Sequence, residues 1–174
     1  QFKTFDIQKQ ILMEDEMDNA VLVNGVVDGV LNSPAQVVRY RLLNGSSHRF
    51  FNFGFANNKQ FKQITSDAGL LDVPVAMTRL ILAPGERAEI LVDLGNEQGN
   101  TLTLKSFGTG LPQGYPGGTM MMASREGPRD NTDFNVLTIN VTAPTADPLT
   151  TVSAALTTNE VLSQAGAATR TLGF

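Results

Sequence analysis

The residues able to do chemistry are few, and their types set narrow limits. The chain has no Cys and a single His, His48, in 174 residues. Without Cys there can be no disulfide, no thiolate nucleophile and no cysteine-ligated metal. One His cannot build a His-rich copper or zinc cluster. His48 has the chemistry of a lone metal ligand or a proton relay, but the plainer reading is a surface-loop side chain beside Arg49. Met120, Met121 and Met122 are consecutive thioethers, the soft donor type that suits Cu(I). In a strand, Met120 and Met122 share one face and fill core space, so they are not assigned as a site. Glu14, Asp15, Glu16 and Asp18 form an acidic cluster, read as a solvated loop rather than a cation site. A Ser-His-Asp arrangement is not credible, since His48 is the only base available and no Gly-x-Ser-x-Gly elbow occurs. The segment Gly108–Gly118 holds five Gly and two Pro, yet no Gly-Lys-Ser/Thr follows it, so it is not a phosphate cradle. Asn44-Gly45-Ser46 and Asn140-Val141-Thr142 match the glycosylation pattern, a frequent match that matters only in a eukaryotic secretory host. The reading therefore assigns no catalytic, no cofactor-binding and no metal-binding residue.

The elements that would carry these residues are strands. Apolar and polar side chains alternate with period two, the mark of half-buried strands. In Val37–Leu43, Val38, Tyr40 and Leu42 share one face while Arg39 and Arg41 share the other. In Ala88–Leu94, Ala88, Ile90, Val92 and Leu94 oppose Glu89 and Asp93. Leu137, Ile139 and Val141 alternate with Thr138 and Asn140. Further strands are expected at Phe2–Leu12, Phe50–Phe55, Phe61–Ser66, Met77–Leu82 and Leu102–Phe107. Turn signals separate them at Asn24-Gly25, Asp28-Gly29, Asn44-Gly45, Asn57-Asn58 and Pro84-Gly85. Helical signal is nearly lacking until Thr157–Ala167. Short strands at this spacing predict an all-β antiparallel sandwich or barrel. Two stretches break the pattern: the Gly-rich loop, and Thr142–Gly166, whose Ala, Thr, Ser and Pro read as a linker. Thr169–Phe174 would then open a following domain.

Composition narrows the function classes. With 13 Lys+Arg against 17 Asp+Glu the net charge is -4, and no basic run offers a nucleic-acid backbone a partner. No stretch approaches the roughly 18–20 apolar residues of a membrane helix, and no signal-peptide pattern is visible. Gln1 already reads as part of a strand, as expected of a piece cut from a longer chain.

Four blocks, in order, carry a resemblance. They are Leu22-Val23-Asn24-Gly25, Val38 to Arg49 with Pro34 before it, Ile64 to Leu71 followed by Pro74-Val75, and Leu80 to Asp93. Together they resemble the middle-domain signature of the multicopper oxidase family, and most closely its bacterial laccase-like, cuprous-oxidase and spore-coat group. The resemblance implies a cupredoxin-like Greek-key β-barrel over residues 1–148, with 149–174 as linker and start of the next domain. It implies that copper is held by His and Cys residues of flanking cupredoxin domains of the same parent chain. No cofactor is expected within this fragment. The parent would oxidise phenolic or metal-ion substrates by single electrons and reduce dioxygen to water, outside the cytoplasm. A copper-less structural or cell-division relative shares the scaffold and is the rival reading. An unrelated β-sandwich binding module is a third, against which the ordered blocks and the absence of Trp weigh. Arg39, Arg41, Glu86 and Arg87 are expected in ion-pair networks, and Asp67 as a turn carboxylate accepting backbone N–H bonds. Apolar inter-domain faces left exposed on the isolated domain are expected to favour self-association.

Overall fold

Asn24 and Gly25 both take positive φ, 51° and 81°, the geometry of a two-residue hairpin turn that twists with its strands. They join β1 (Leu22–Val23) to β2 (Val26–Val27), as the Asn-Gly signal predicts. The computed structural model describes residues 20–119, 129–161, 163, 165, 166, 168, 170 and 171. After the hairpin come β3 (Val30–Pro34), β4 (Val37–Leu43), β5 (Phe51–Phe55), β6 (Phe61–Ser66) and β7 (Gly69–Met77). Then follow β8 (Leu80–Leu82), β9 (Arg87–Asp93), β10 (Thr101–Phe107), a 3-10 turn at Gly108–Gly110, and β11 (Asp133–Thr142).

These strands make two facing sheets. One has five strands in the order β3-β11-β10-β5-β8, the other four in the order β4-β9-β6-β7. All pairings are antiparallel except β3 with β11, which runs parallel from Val30↔Thr138 to Pro34↔Thr142. The chain changes sheet between β3 and β4, β4 and β5, β5 and β6, β7 and β8, β8 and β9, and β9 and β10, which gives the Greek-key path. The described strands thus form the all-β sandwich expected from the sequence.

The alternation read from sequence decides which side chains meet between the sheets. Ala88, Ile90, Val92 and Leu94 are buried to the last few per cent, while Arg87 and Asp93 at the ends of the same strand face solvent. They pack with Phe53, Phe55, Phe61, Leu102, Leu104, Ile139 and Val141 from the other strands. Phe55 and Phe61 meet edge to face with ring centroids 6.2 Å apart, the arrangement the ring quadrupole favours. Burying each such side chain contributes about 1.5–3 kcal/mol, so this cluster carries most of the folding energy.

Three local expectations need correction. Gly69–Met77 is a strand that the sequence hid, because its apolar residues do not alternate cleanly and Pro74 argues against a ladder. The strand expected at Met77–Leu82 is instead the last residue of β7 and the whole of β8, broken at Thr78–Arg79. No helix occurs among the described residues of 157–167, where Asn159 gives its backbone N–H to Asp72 Oδ1 and its side-chain amide to Leu70 O. The strand expected at Phe2–Leu12 lies outside the described residues. Of Thr169–Phe174 only Arg170 and Thr171 are described, neither in a strand.

Candidate functional site

The loop from Leu43 to Phe51 gathers the polar residues of interest, and its conformation follows from Asn44. That side chain is 1% exposed. Its Nδ2 donates to Arg49 O at 2.7 Å and to Leu82 O at 2.9 Å, while its Oδ1 accepts from Ser46 N at 3.0 Å. Ser46 Oγ lies 2.7 Å from both Asn44 Oδ1 and Arg49 O, with a single proton to give. One amide thus ties the end of β4 to β8 and fixes the loop between them. A residue so enclosed cannot take a glycan at Nδ2, which removes the first of the two sequence matches. The second, Asn140, lies within β11, where its amide faces Thr101 Oγ1 and Asn32 Oδ1.

His48 stands exposed at the tip of this loop. Its Nδ1 is 3.0 Å from Ser47 Oγ, and no carboxylate orients the ring among the described residues. A neighbouring Ser without an orienting acid or an oxyanion donor is not a nucleophilic constellation. Arg49, one residue on, points the other way and is buried. Its Nη1 meets Asp130 Oδ1 at 2.8 Å and Arg129 O at 3.2 Å, with the Asp130 side chain fully enclosed. Sequence reasoning missed this pair, because nothing local to either residue signals a partner so distant in the chain.

The Gly-rich segment is an ordered part of the same end of the barrel. Phe50 N donates to Pro116 O, Asn131 N to Gly117 O and Gly108 N to Thr132 O. Gly117 has φ of 101°, and a Cβ there would lie 2.9 Å from Phe50 O, so only glycine fits this approach. Tyr115 packs edge to face on Phe50 with centroids 4.8 Å apart. These contacts use the glycines to bring backbone close to backbone. They make no anion cradle.

The charged residues of the sheet surfaces pair as expected, with one difference. Glu89 lies between Arg39 at 3.7 Å and Arg41 at 3.1 Å on the outer face of β4 and β9. Asp67 accepts from Arg87 N at 2.8 Å and meets its guanidinium at 3.2 Å, pinning the β6–β7 turn to β9. Glu86 forms no ion pair among the described residues. It caps its own turn by accepting from Ala83 N at 2.7 Å.

Between the sheets a cleft of about 740 Å³ opens at the hairpin end, walled by Leu22, Leu31, Tyr40, Leu42, Phe51 and Leu137. Arg49 and Arg129 lie at its polar end. Tyr40 donates to Ser33 Oγ at 2.7 Å, and burial pushes its phenol pKa up, the hydrogen bond offsetting part of that. The hairpin and strand side of the wall is alkyl and aromatic, while Asn44, Ser46, His48, Arg49 and Arg129 make the loop side polar. Met120–Met122 and the acidic residues Glu14, Asp15, Glu16 and Asp18 lie outside the described residues. Among those described, no group of three or more His, Cys, Asp or Glu converges as a metal site.

No family model matches the sequence. Curated relatives do. A multicopper oxidase of Staphylococcus epidermidis is 41% identical over 86 residues, 49% of this chain and 19% of the relative. The cell division protein FtsP of Photorhabdus laumondii is 40% identical over 79 residues, 45% of this chain and 17% of the relative. A crystal structure of the McoA multicopper oxidase 2F4 variant from Aquifex aeolicus superposes with a TM-score of 0.71 at 26% identity. That superposition covers 88% of this chain and 31% of the solved one. The chain is a cupredoxin-like domain related to the multicopper oxidases. It spans less than a third of that solved chain's length. The family's copper does not fit the donors present. A blue-copper site takes two His and a Cys, and this sequence offers one exposed His and no Cys.

Proposed function

We propose that this chain is the copper-free middle domain of a multicopper oxidase and acts as a spacer that orients the domains on either side. The observation that supports it is the pairing of an intact cupredoxin-like barrel with a donor inventory that cannot complete a copper site. At the loop end Asn44 ties strands together and Arg49 pairs with Asp130, while His48 faces solvent. In the parent, copper would be held by flanking cupredoxin domains. There it would support one-electron oxidation of phenolic or metal-ion substrates coupled to reduction of dioxygen. Extracytoplasmic location follows from the same resemblance. Among the described residues, no helix is long and apolar enough to cross a membrane.

Exposed apolar side chains on the hairpin and β3 suit a face that meets a neighbouring domain. Leu22, Val26, Val27 and Val30 are all more than half exposed. On the isolated chain such a face favours self-association.

Similarity to FtsP supports a second reading, a structural cell-division protein built on the same scaffold. Nothing within the barrel separates the two. Sequencing the parent gene outward does. Paired His-x-His motifs upstream and a His-Cys-His cluster downstream are the expected result. Cupredoxin-like flanks lacking those residues would keep the fold and remove the oxidase.

A further inference from the structure

We propose that residues 145–159 are a strap fixed to the four-stranded sheet at both of its edges, so that whatever follows leaves the domain from a set position. The segment has a linker's composition, but its hydrogen bonds are those of a docked chain. At the β4 edge, Val37 N donates to Leu149 O at 2.7 Å. Just before it, Thr145 gives both its N–H and its hydroxyl to Gln36 Oε1, at 3.3 and 2.7 Å. At the opposite edge, Leu156 N donates to Asp72 O at 2.8 Å. Asn159 then grips the same residue twice: its N–H reaches Asp72 Oδ1 at 3.0 Å and its Nδ2 reaches it at 2.7 Å. The same Nδ2 also reaches Leu70 O at 3.0 Å.

The span is geometrically reasonable. Four strands at about 4.8 Å spacing put the outer two roughly 14 Å apart. The seven residue steps from Leu149 to Leu156 reach at most about 25 Å when extended, so the chain crosses the sheet in one pass. Along that crossing Val152 and Leu156 are half-buried while their neighbours are exposed, so the crossing lies against protein. By Val161, which is 92% exposed, the chain has left the surface.

The strap also answers a defect in the sheet. The ladder between β6 and β7 runs from Phe61↔Met77 to Gln63↔Val75, then resumes at Thr65↔Leu70 and skips Leu71–Pro74. A bulge of this kind leaves backbone groups that need partners from elsewhere. Leu156 and Asn159 supply donors at its start. Pro74, which has no N–H to satisfy, sits within the bulge, where proline is tolerated.

The strap deepens the spacer reading but does not depend on it, since it can be tested on this chain whether or not the parent binds copper. Hydrogen exchange on the full chain, resolved by residue, is the first readout. The amides of Val37, Leu156 and Asn159 are expected to exchange at least about tenfold more slowly than their intrinsic rates. Exchange at the intrinsic rate would overturn the proposal. The second readout is thermolysin cleavage within 149–161, comparing the native chain with Asn159→Ala and with Asn159→Ala/Leu156→Pro. Both variants are expected to be cut at least about tenfold faster there, with an unchanged far-UV circular dichroism spectrum. Cleavage no faster than in the native chain would also overturn it. The single variant alters one exposed tail side chain, and it keeps the test valid if the proline disturbs the fold.

Discussion

Replacing Asn44 offers a prediction that the structure makes quantitative. Asn44→Ala takes from Leu82 O the donor that Nδ2 supplies and from Ser46 N its acceptor, while Ser46 Oγ can still serve Arg49 O. Each buried group left unsatisfied costs about 1–3 kcal/mol, so the variant loses about 2–6 kcal/mol. That is a large share of the roughly 5–15 kcal/mol by which a domain is stable. Asn44→Asp keeps the shape but places an oxygen where Nδ2 now donates, facing two carbonyls at 2.7 and 2.9 Å. An ionised carboxylate is repelled there, whereas a protonated one can donate to one of them. The folded state therefore raises the new carboxyl's pKa above its unfolded value of about 3.9. A group raised on folding contributes its stability below the unfolded pKa and loses it as pH rises. A tenfold change in proton affinity is worth about 1.4 kcal/mol. The gap between wild type and Asn44→Asp should thus widen by at least that amount from pH 4 to pH 7, while the gap for Asn44→Ala stays constant. Urea denaturation of all three proteins at both pH values measures it. Equal pH dependence for the Asp and Ala variants would refute the assignment of the two carbonyl contacts to Nδ2.

Arg49→Met is expected to cost about 3–5 kcal/mol, because it breaks a buried ion pair whose Asp130 side chain is fully enclosed. Arg49→Met/Asp130→Leu should recover part of that loss, which a double-mutant cycle in urea would register. Glu89→Gln should cost no more than about 1 kcal/mol and nothing at high salt. Its partners Arg39 and Arg41 are 53% and 72% exposed, and screening weakens such pairs. Tyr40 has its phenol pKa raised by burial, so its stabilising contribution is complete below about pH 10 and falls as pH rises beyond that. Tyr40→Phe should remove that alkaline component from denaturation curves measured between pH 9 and pH 11.

Where a strand has one face in the core, its register could be read from sequence. Val37–Leu43 and Phe61–Ser66 coincide with β4 and β6, and the outward Arg39 and Arg41 stand where alternation puts them. β7 was hidden because it is an edge strand with a bulge, most of whose residues are exposed, so neither period nor burial marks it. β3 was missed for a related reason: Val30, Leu31 and Asn32 are all exposed, and only the parallel pairing with β11 makes the segment a strand. At the loop end the sequence bounded the chemistry, with one His and no Cys, yet the actual ties were not legible. Asn44 reads as half of an Asn-Gly turn, but its role is set by Leu82 O, a group that only the folded chain brings near. The Arg49–Asp130 pair likewise depends on the Gly-rich loop folding back, through Gly117, onto Phe50.

The central claim is that this domain supports a copper enzyme without ligating its copper, and His48 tests it most directly. It is the one imidazole the chain could contribute. Copper per protein and oxygen consumption should be measured on the full-length parent carrying His48→Ala, beside the unaltered parent. The same full complement of copper and the same rate are expected in both. Loss of copper from the variant would contradict the claim.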